Sequence, residues 1–338
     1  MKMKKALYSL SAIATATLCL ATAVNPAYAS SASSEQNAQK QNSKNPFQHV
    51  YVIMMENHGN ADIIGNPLMP NMNSLINNYG FDDNYYGVTH PSLPNYAALI
   101  SGSNWNTYDD NSSDRFDVPN LVDQLESKNL TWKGYMESMP SVGYTGTGSG
   151  SLYAIRHNPF MLMTDIAGNP ARLQNIMPFT QFQQDLNNNT VPNFSFITPN
   201  LINDMHGVSG STDQQLYQAG DKFVQDTVQE IMSSKSWKTS KSVIYITFDE
   251  GDDSGEGPAA PGPNAKYPGG GNTPLIMIDN TYLHPFTIHT WADHYSLLRT
   301  IEQNWGLSFL ANAANPQVTT LPVPGEPKLN QDNNQNNN

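Results

Sequence analysis

Three short runs of apolar and β-branched residues stand out along the chain, and each ends abruptly in polar residues. His49 to Met55, HVYVIMM, runs into Glu56-Asn57-His58-Gly59. Phe194 to Thr198, FSFIT, runs into Pro199, Asn200, Asn203, Asp204 and His206. Val243 to Phe248, VIYITF, runs into Asp249-Glu250-Gly251, followed by Asp252 and Asp253. Runs of this kind, without polar alternation, fit strands buried on both faces, as in a parallel sheet. Leu130 to Met136 and Pro274 to Ile278 read as further strands, and Phe81 to Val88 as an extended aromatic segment.

Between the strands the apolar period changes to that of helices. Pro70 to Tyr79 has proline in its first turn and Gly80 as its stop. Val118 to Ser127 and Phe179 to Leu186 read as shorter helices. Asp213 to Ser233 carries Leu216, Phe223, Val224, Val228 and Ile231 on one face, with Thr212 or Asp213 as cap. Trp291 to Trp305 turns Leu297, Leu298, Ile301 and Trp305 inward, with His294 in its first turn. Strands alternating with helices predict an α/β fold: a mostly parallel central sheet flanked by helices.

The ends of the chain depart from this pattern. Met1-Lys2-Met3-Lys4-Lys5, an apolar run from Ala6 to Val24 and Ala27-Tyr28-Ala29 make a secretory signal peptide over residues 1–29. That predicts a protein exported to the cell-envelope exterior or secreted. Residues 30–45 form a polar tether and residues 321–338 an Asn/Gln-rich tail, both poor in core-forming side chains. The folded region is then 46–320. The single cysteine, Cys19, lies in the leader, so the mature chain has no disulfide and depends on its core. Beyond the leader no apolar stretch is long enough to span a bilayer, which predicts no stable membrane insertion.

The formal charge is −12. Loss of Lys2, Lys4 and Lys5 with the leader, and of no acid, takes it to −15. A chain this acidic is not built for broad electrostatic binding of nucleic acid. A small phosphorylated substrate held at a local cation remains compatible with it. The sequence does not set an oligomeric state.

Candidate chemistry gathers at the strand ends. Asp249 and Glu250 are adjacent carboxylates at the carboxyl end of a buried strand. They repel one another and are costly to desolvate without a cation. Open parallel sheets bind their ligands at that end. Glu56, Asn57, Asp249 and Glu250 are oxygen ligands suited to Ca²⁺, Mg²⁺ or Mn²⁺, and imidazole would admit Zn²⁺. In Thr89-His90-Pro91-Ser92-Leu93-Pro94-Asn95-Tyr96 the prolines suit a turn that opens a helix. Ser92 then sits where free N–H groups favour an anion, or simply serves as the cap. His206 and His294 complete the inventory. The Gly/Pro-rich stretch 255–272 reads as a long loop.

These motifs resemble the phosphoesterase family of acid phosphatases and non-haemolytic phospholipases C, within the alkaline phosphatase-like superfamily. The resemblance rests on Glu56-Asn57-His58, Ser92-Leu93-Pro94-Asn95-Tyr96, Asn203-Asp204-Met205-His206, Phe248-Asp249-Glu250-Gly251-Asp252 and His294-Tyr295-Ser296-Leu297-Leu298-Arg299, in family order. It implies a metal-dependent phosphomonoesterase in which Ser92 attacks phosphorus, Asn95 holds a phosphoryl oxygen, and Glu56, Asn57, Ser92, Asp249 and Glu250 bind one divalent metal. His206 and His294 would line the site as charge stabilisers, ligands of a second metal or a general acid. Thr89 is the competing nucleophile. His157 with Asn158 is a secondary phosphate-binding candidate. Glu56 where the superfamily commonly has Asp, Glu250 where it commonly has His, and the short Asp204-x-His206 spacing favour one metal over two. Phosphodiester or phospholipid-headgroup cleavage, a sulfatase-like hydrolase and a non-catalytic cation-stabilised binding protein are the competing readings.

Overall fold

The computed structural model describes residues 46–148, 152–251 and 269–322. The expected leader, the tether, the tail from residue 323, Asp252, Asp253 and most of the 255–272 loop lie outside the described residues.

The main sheet is built from β1 (His49–Met55), β2 (Gly80–Asp82), β4 (Trp132–Met136), β5 (Ile176–Pro178), β6 (Phe194–Thr198), β7 (Ser242–Phe248), β8 (Leu275–Asp279) and β9 (Phe286–Ile288). Their order across the sheet is β5-β4-β6-β1-β7-β8-β2-β9. All run in parallel except β8, which is antiparallel to both its neighbours. A two-stranded ribbon pairs β3 (Tyr85–Tyr86) with β10 (Ala292–Asp293). The helices used below are α1 (Pro70–Asn78), α2 (Ser92–Ser101), α3 (Leu121–Ser127), α4 (Thr180–Asn188), α5 (Asp213–Ser233) and α6 (His294–Asn304).

The continuous apolar runs are explained by burial on both faces. In β1, Val50, Val52 and Met54 enter one core layer and Tyr51, Ile53 and Met55 the other. In β7, Val243 and Tyr245 enter the first layer, and Ile244, Ile246 and Phe248 the second. This is the period-2 alternation of a strand, with an apolar partner waiting on each side. The first layer is closed by α2 through Leu93, Tyr96, Ala97, Leu99 and Ile100, and by α6 through Leu297, Leu298 and Ile301. The second is closed by α5, whose Leu216, Phe223, Val224, Val228 and Ile231 are all buried, on the face its spacing predicts. Thr212 caps α5 by accepting from the Gln215 N–H. Gly220 lets α5 approach the strand ends: a Cβ there would stand 2.6 Å from the Met205 sulfur.

Several boundaries differ from the sequence reading. Helix α3 begins at Leu121 because Asn120 caps it, accepting from the Val122 N–H, and Val118 and Pro119 remain in the preceding turn. Helix α6 begins at His294, since the Asp293 carboxylate accepts from the Ser296 N–H while Ala292 and Asp293 pair with β3. Trp291 is therefore outside the helix. The short strands β5 and β9 carry too few apolar residues to declare themselves in the chain. Among the described residues no helix is long and apolar enough to cross a membrane.

Candidate active site

The register of the sheet builds the site. Met55 of β1 lies opposite Phe248 of β7, so Glu56 and Asp249 leave the sheet side by side. The Asp249 N–H donates to the Met55 carbonyl (3.0 Å), and the Glu56 N–H to the Asp204 carbonyl (2.8 Å) beyond β6. Three strand ends are thus stitched together by backbone bonds. Asn57 turns at a φ of 51°, and its N–H donates to Asp249 Oδ1 (3.0 Å). Asparagine tolerates that left-handed geometry better than most residues.

Ser92 is the first residue of α2, preceded by Pro91. Its Oγ donates to Glu56 Oε2 at 2.9 Å. It also lies 3.3 Å from Asn57 Oδ1 and 3.5 Å from Glu250 Oε1. One hydroxyl has one hydrogen to give, so the last two are contacts between oxygens. Turned over, the Asn57 amide would donate to Glu56 Oε2, Glu250 Oε1 and Ser92 Oγ at 3.1 to 3.3 Å. With its carbonyl toward them instead, the same amide offers a ligand oxygen to a cation. Asp249 Oδ2 is buried and has no hydrogen-bond partner. Five residues from three chain segments therefore bring oxygen-bearing side chains together, and Asp249 Oδ2 among them is left without a hydrogen. That donor set fits a hard divalent cation.

The other wall is aromatic and imidazole. Tyr96, one turn along α2, donates its hydroxyl to Glu56 Oε1 at 2.5 Å. Its ring stacks on His157, with centroids 5.5 Å apart and planes 6° apart. His157 Nε2 lies 3.3 Å from Glu56 Oε1 and Nδ1 lies 3.2 Å from Asp204 Oδ2. His206 packs beside it, ring centroids 5.3 Å apart. Glu56, His157 and His206 offer ligand atoms that all lie within 4.8 Å of one another. Both His206 nitrogens are occupied, however. Nδ1 faces the Gly207 carbonyl (2.9 Å), so it carries the hydrogen, and Nε2 accepts from Arg156 Nη2 (2.9 Å). The oxygen group is the better prepared of the two.

Burial dominates the electrostatics. It pushes the Glu56, Asp204 and Asp249 carboxyls well above the usual carboxylate range, and repulsion from neighbouring acids adds to it at all three. It drives the His157 imidazole well down, and lowers His206 as well. Each group resists its own charge for want of solvent. A divalent cation among the carboxylates would reverse that for the acids.

Two of the sequence candidates reach this place differently from the rest. Asn95 is wholly buried and turned to the backbone. Its Oδ1 accepts from the Val88 (2.9 Å) and Thr89 (3.3 Å) N–H groups, and its Nδ2 donates to the Thr89 (2.7 Å) and Pro91 (3.1 Å) carbonyls. It folds the turn that presents Ser92. His294 is also fully buried. Its Nε2 donates to the Asp249 carbonyl at 2.5 Å, and its Nδ1 accepts from the Tyr85 hydroxyl at 2.8 Å. Burial holds its pKa down at about 4. It stands behind Asp249 and braces it. Thr89 donates to the neighbouring His90 carbonyl rather than to the oxygen cluster (3.3 Å). His90 Nδ1 meets Glu250 Oε2 at 2.6 Å.

Tyr96 and Arg156 carry no sequence signal for these roles. Tyr96 lies in a helix whose every residue is buried, so it reads as core. Arg156 lies in a single 3₁₀ turn, Ile155–His157, within a loop rich in Gly, Ser and Thr.

The chain and its fold have known relatives. A sequence model of the Phosphoesterase family matches residues 66–308. The chain is similar to a phosphatidylinositol-3-phosphatase of Mycobacterium tuberculosis, 32% identical over 281 residues, covering 81% of this chain and 83% of the relative. It is similar to a probable acid phosphatase of Kluyveromyces lactis, 30% identical over 275 residues and 78% of this chain, and there spans only 59% of the relative. Among solved structures it resembles an alkaline phosphatase superfamily protein from Vibrio parahaemolyticus, with a TM-score of 0.52 and 11% identity over 84% of this chain and 79% of the other. It resembles a lipoteichoic acid synthase of Listeria monocytogenes similarly, at a TM-score of 0.51 and 11% identity over 82% and 80%. At such identities the likeness is one of fold, and that fold is the alkaline phosphatase-like one.

Proposed function

Because the chain belongs to the phosphoesterase family, we propose that it is a metal-dependent hydrolase of phosphate monoesters in which Ser92 is the nucleophile. The observation that carries this reading is the Ser92 hydroxyl, fixed at the start of a buried helix among the Glu56, Asn57 and Glu250 oxygens. The names of the relatives, a phosphatidylinositol-3-phosphatase and acid phosphatases, point to the same chemistry.

Glu56, Asn57, Ser92, Asp249 and Glu250 would hold one divalent cation, drawn from Ca²⁺, Mg²⁺, Mn²⁺ or Zn²⁺. Bound there, such an ion neutralises phosphoryl charge and lowers the pKa of the serine hydroxyl. The protein's own residues supply the rest. Ser92 Oγ attacks phosphorus, and the new Oγ–P bond forms as the bond from phosphorus to the alcohol oxygen breaks, the departing alkoxide taking up the proton that Oγ gives up. The serine proton has an acceptor 2.9 Å away, at Glu56 Oε2. Water then attacks the phosphoserine, the Oγ–P bond breaks, phosphate leaves and Oγ recovers a proton. Tyr96 and Asp204 hold the Glu56 and His157 side of the site, while Asn95 and His294 act as positioning residues. His206 accepts from Arg156 at Nε2, which favours a role in lining the approach over one as general acid.

The reading is tested by assaying hydrolysis of a simple phosphate monoester and of phosphatidylcholine with added divalent cations. The expected result is turnover of the monoester and a phosphorylated Ser92 in acid-quenched samples. Preferred cleavage of the lipid would replace it with the phospholipase reading. Absence of hydrolysis with any cation would favour a binding protein. The leader reading adds export, which N-terminal sequencing of protein recovered outside the cell tests by the predicted cleavage after Ala29.

A further inference from the structure

The groups on the imidazole wall run from dry to wet. The Glu56 side chain is 0% exposed and that of His157 2%. His206 is half-buried. The Arg156 side chain is 22% exposed and that of Asp110 35%. The row is continuous: Glu56 Oε1 to His157 Nε2 (3.3 Å), His157 to His206 (rings 5.3 Å apart), and His206 Nε2 to Arg156 Nη2 (2.9 Å). The two imidazoles thus link Arg156 to Glu56 along this wall. The guanidinium is the partly exposed, positive end of that row, and the alcohol part of a substrate held at Ser92 would project toward solvent.

The orientation of Arg156 is fixed from behind. Asp110 Oδ1 accepts from the Leu93 N–H (2.9 Å) in the first turn of α2, and its Oδ2 lies 3.6 Å from Arg156 Nε. That separation is an ion pair without a hydrogen bond, and Nε is a buried donor with no partner. A guanidinium carries five N–H donors. Among the described residues Arg156 makes one side-chain hydrogen bond, to a neutral imidazole rather than to a carboxylate. No lysine or arginine is hydrogen-bonded to Glu56, Ser92 or Asp249 among the described residues. In a chain of net charge −12, Arg156 is a positive side chain in contact with the imidazole wall of the site.

We propose that Arg156 binds a second anionic group, a phosphate or a carboxylate carried on the alcohol part of the substrate, and so gives preference to phosphate esters with two anionic groups. The inference rests on the phosphatase reading above and names its substrate class. Arginine suits the task because its planar fork matches both oxyanions and stays charged at any working pH.

The test compares kcat/KM of the full chain, with a divalent cation added, on 4-nitrophenyl phosphate, fructose 1,6-bisphosphate and 3-phosphoglycerate. The second and third probes separate a phosphate from a carboxylate as the recognised group. In Arg156→Gln the ratio of either doubly anionic probe to the aryl phosphate falls about 10- to 100-fold, as expected for a lost charge-assisted pair, and Arg156→Lys recovers part of it. Equal losses on all three substrates would overturn the proposal and assign Arg156 to the reacting phosphoryl or to bracing His206. An unchanged ratio would overturn it as well. If the wild-type protein hydrolyses none of them, the phosphatase reading fails instead. Calorimetric binding of fructose 1,6-bisphosphate then reads the same contact without turnover: weaker binding to Arg156→Gln supports it, and equal binding overturns it.

Discussion

The Tyr96 hydroxyl donates to Glu56 Oε1 across 2.5 Å while the other oxygen of the same carboxylate receives the Ser92 hydroxyl. Glu56 is thereby oriented by one residue of α2 and coupled to another one turn earlier. Tyr96→Phe removes the first bond and keeps the ring that stacks on His157. Partners of ligating carboxylates typically contribute 10- to 100-fold to metal affinity or activity. The expected outcome is a loss of about that size in kcat/KM, with apparent cation affinity reduced and the fold intact by circular dichroism.

Ser92→Ala deletes the proposed nucleophile and leaves the surrounding acids in place. Activity on a phosphate monoester should fall by at least about 10³-fold, as for other covalent catalysts stripped of their nucleophile. The phosphorylated serine peptide should disappear from acid-quenched digests. Retention of full activity would return attention to Thr89.

Removal of the cation should cost stability as well as activity. The buried oxygens of Glu56, Asn57, Asp249 and Glu250 then face one another unneutralised. Ligand linkage at 100 times Kd corresponds to about 2.7 kcal/mol. A chelator should lower Tm, and re-addition of the preferred divalent cation should restore it. Asp249→Asn should abolish most of that cation-dependent shift while keeping a folded baseline.

His294 offers a way to tell a brace from an acid. Both ring nitrogens are engaged, by the Asp249 carbonyl and the Tyr85 hydroxyl, and burial holds its pKa down at about 4. His294→Gln should weaken activity mainly through cation affinity, so that excess cation recovers much of the rate. The limbs of the kcat–pH profile should stay where they are. A lost limb would make His294 a proton donor after all.

Glu302 predicts a pH dependence remote from the site. It is buried in α6, accepts from the Leu310 N–H, and burial pushes its carboxyl up to about 9. The folded protein therefore holds a proton that the unfolded chain releases near the ordinary value of 4.5. Its contribution is full below that value and is lost as pH rises through about 9. Glu302→Gln, which mimics the protonated form, should gain in Tm over the wild-type protein as pH rises from 5 to 9. Parallel pH profiles would refute it.

Much of this was legible in the chain where chemistry coincides with a break in pattern. The apolar runs stop at Glu56 and at Asp249, and a buried strand ending in acids marks a place where charge needs a partner. Proline-flanked Ser92 announces the start of its helix. Proximity was legible for Asn95 and His294, yet direction was not: nothing in a linear motif says whether an amide or imidazole faces a substrate or its own backbone. Tyr96 was hidden because an apolar helix face gives its hydroxyl no separate mark. Arg156 was hidden because a lone 3₁₀ turn has no period to read.

The pairing of Met55 with Phe248 sets how such a site tolerates change. Glu56 and Asp249 are addressed by their depth in the sheet rather than by their separation along the chain. Connections between the two strands can lengthen, shorten or acquire new elements while the carboxylates stay abreast. One residue inserted within either strand does the opposite, sending its acid to the far face and offering a core position to a side chain meant for water. Diversification of substrate preference is therefore free in the loops and closed in the strands.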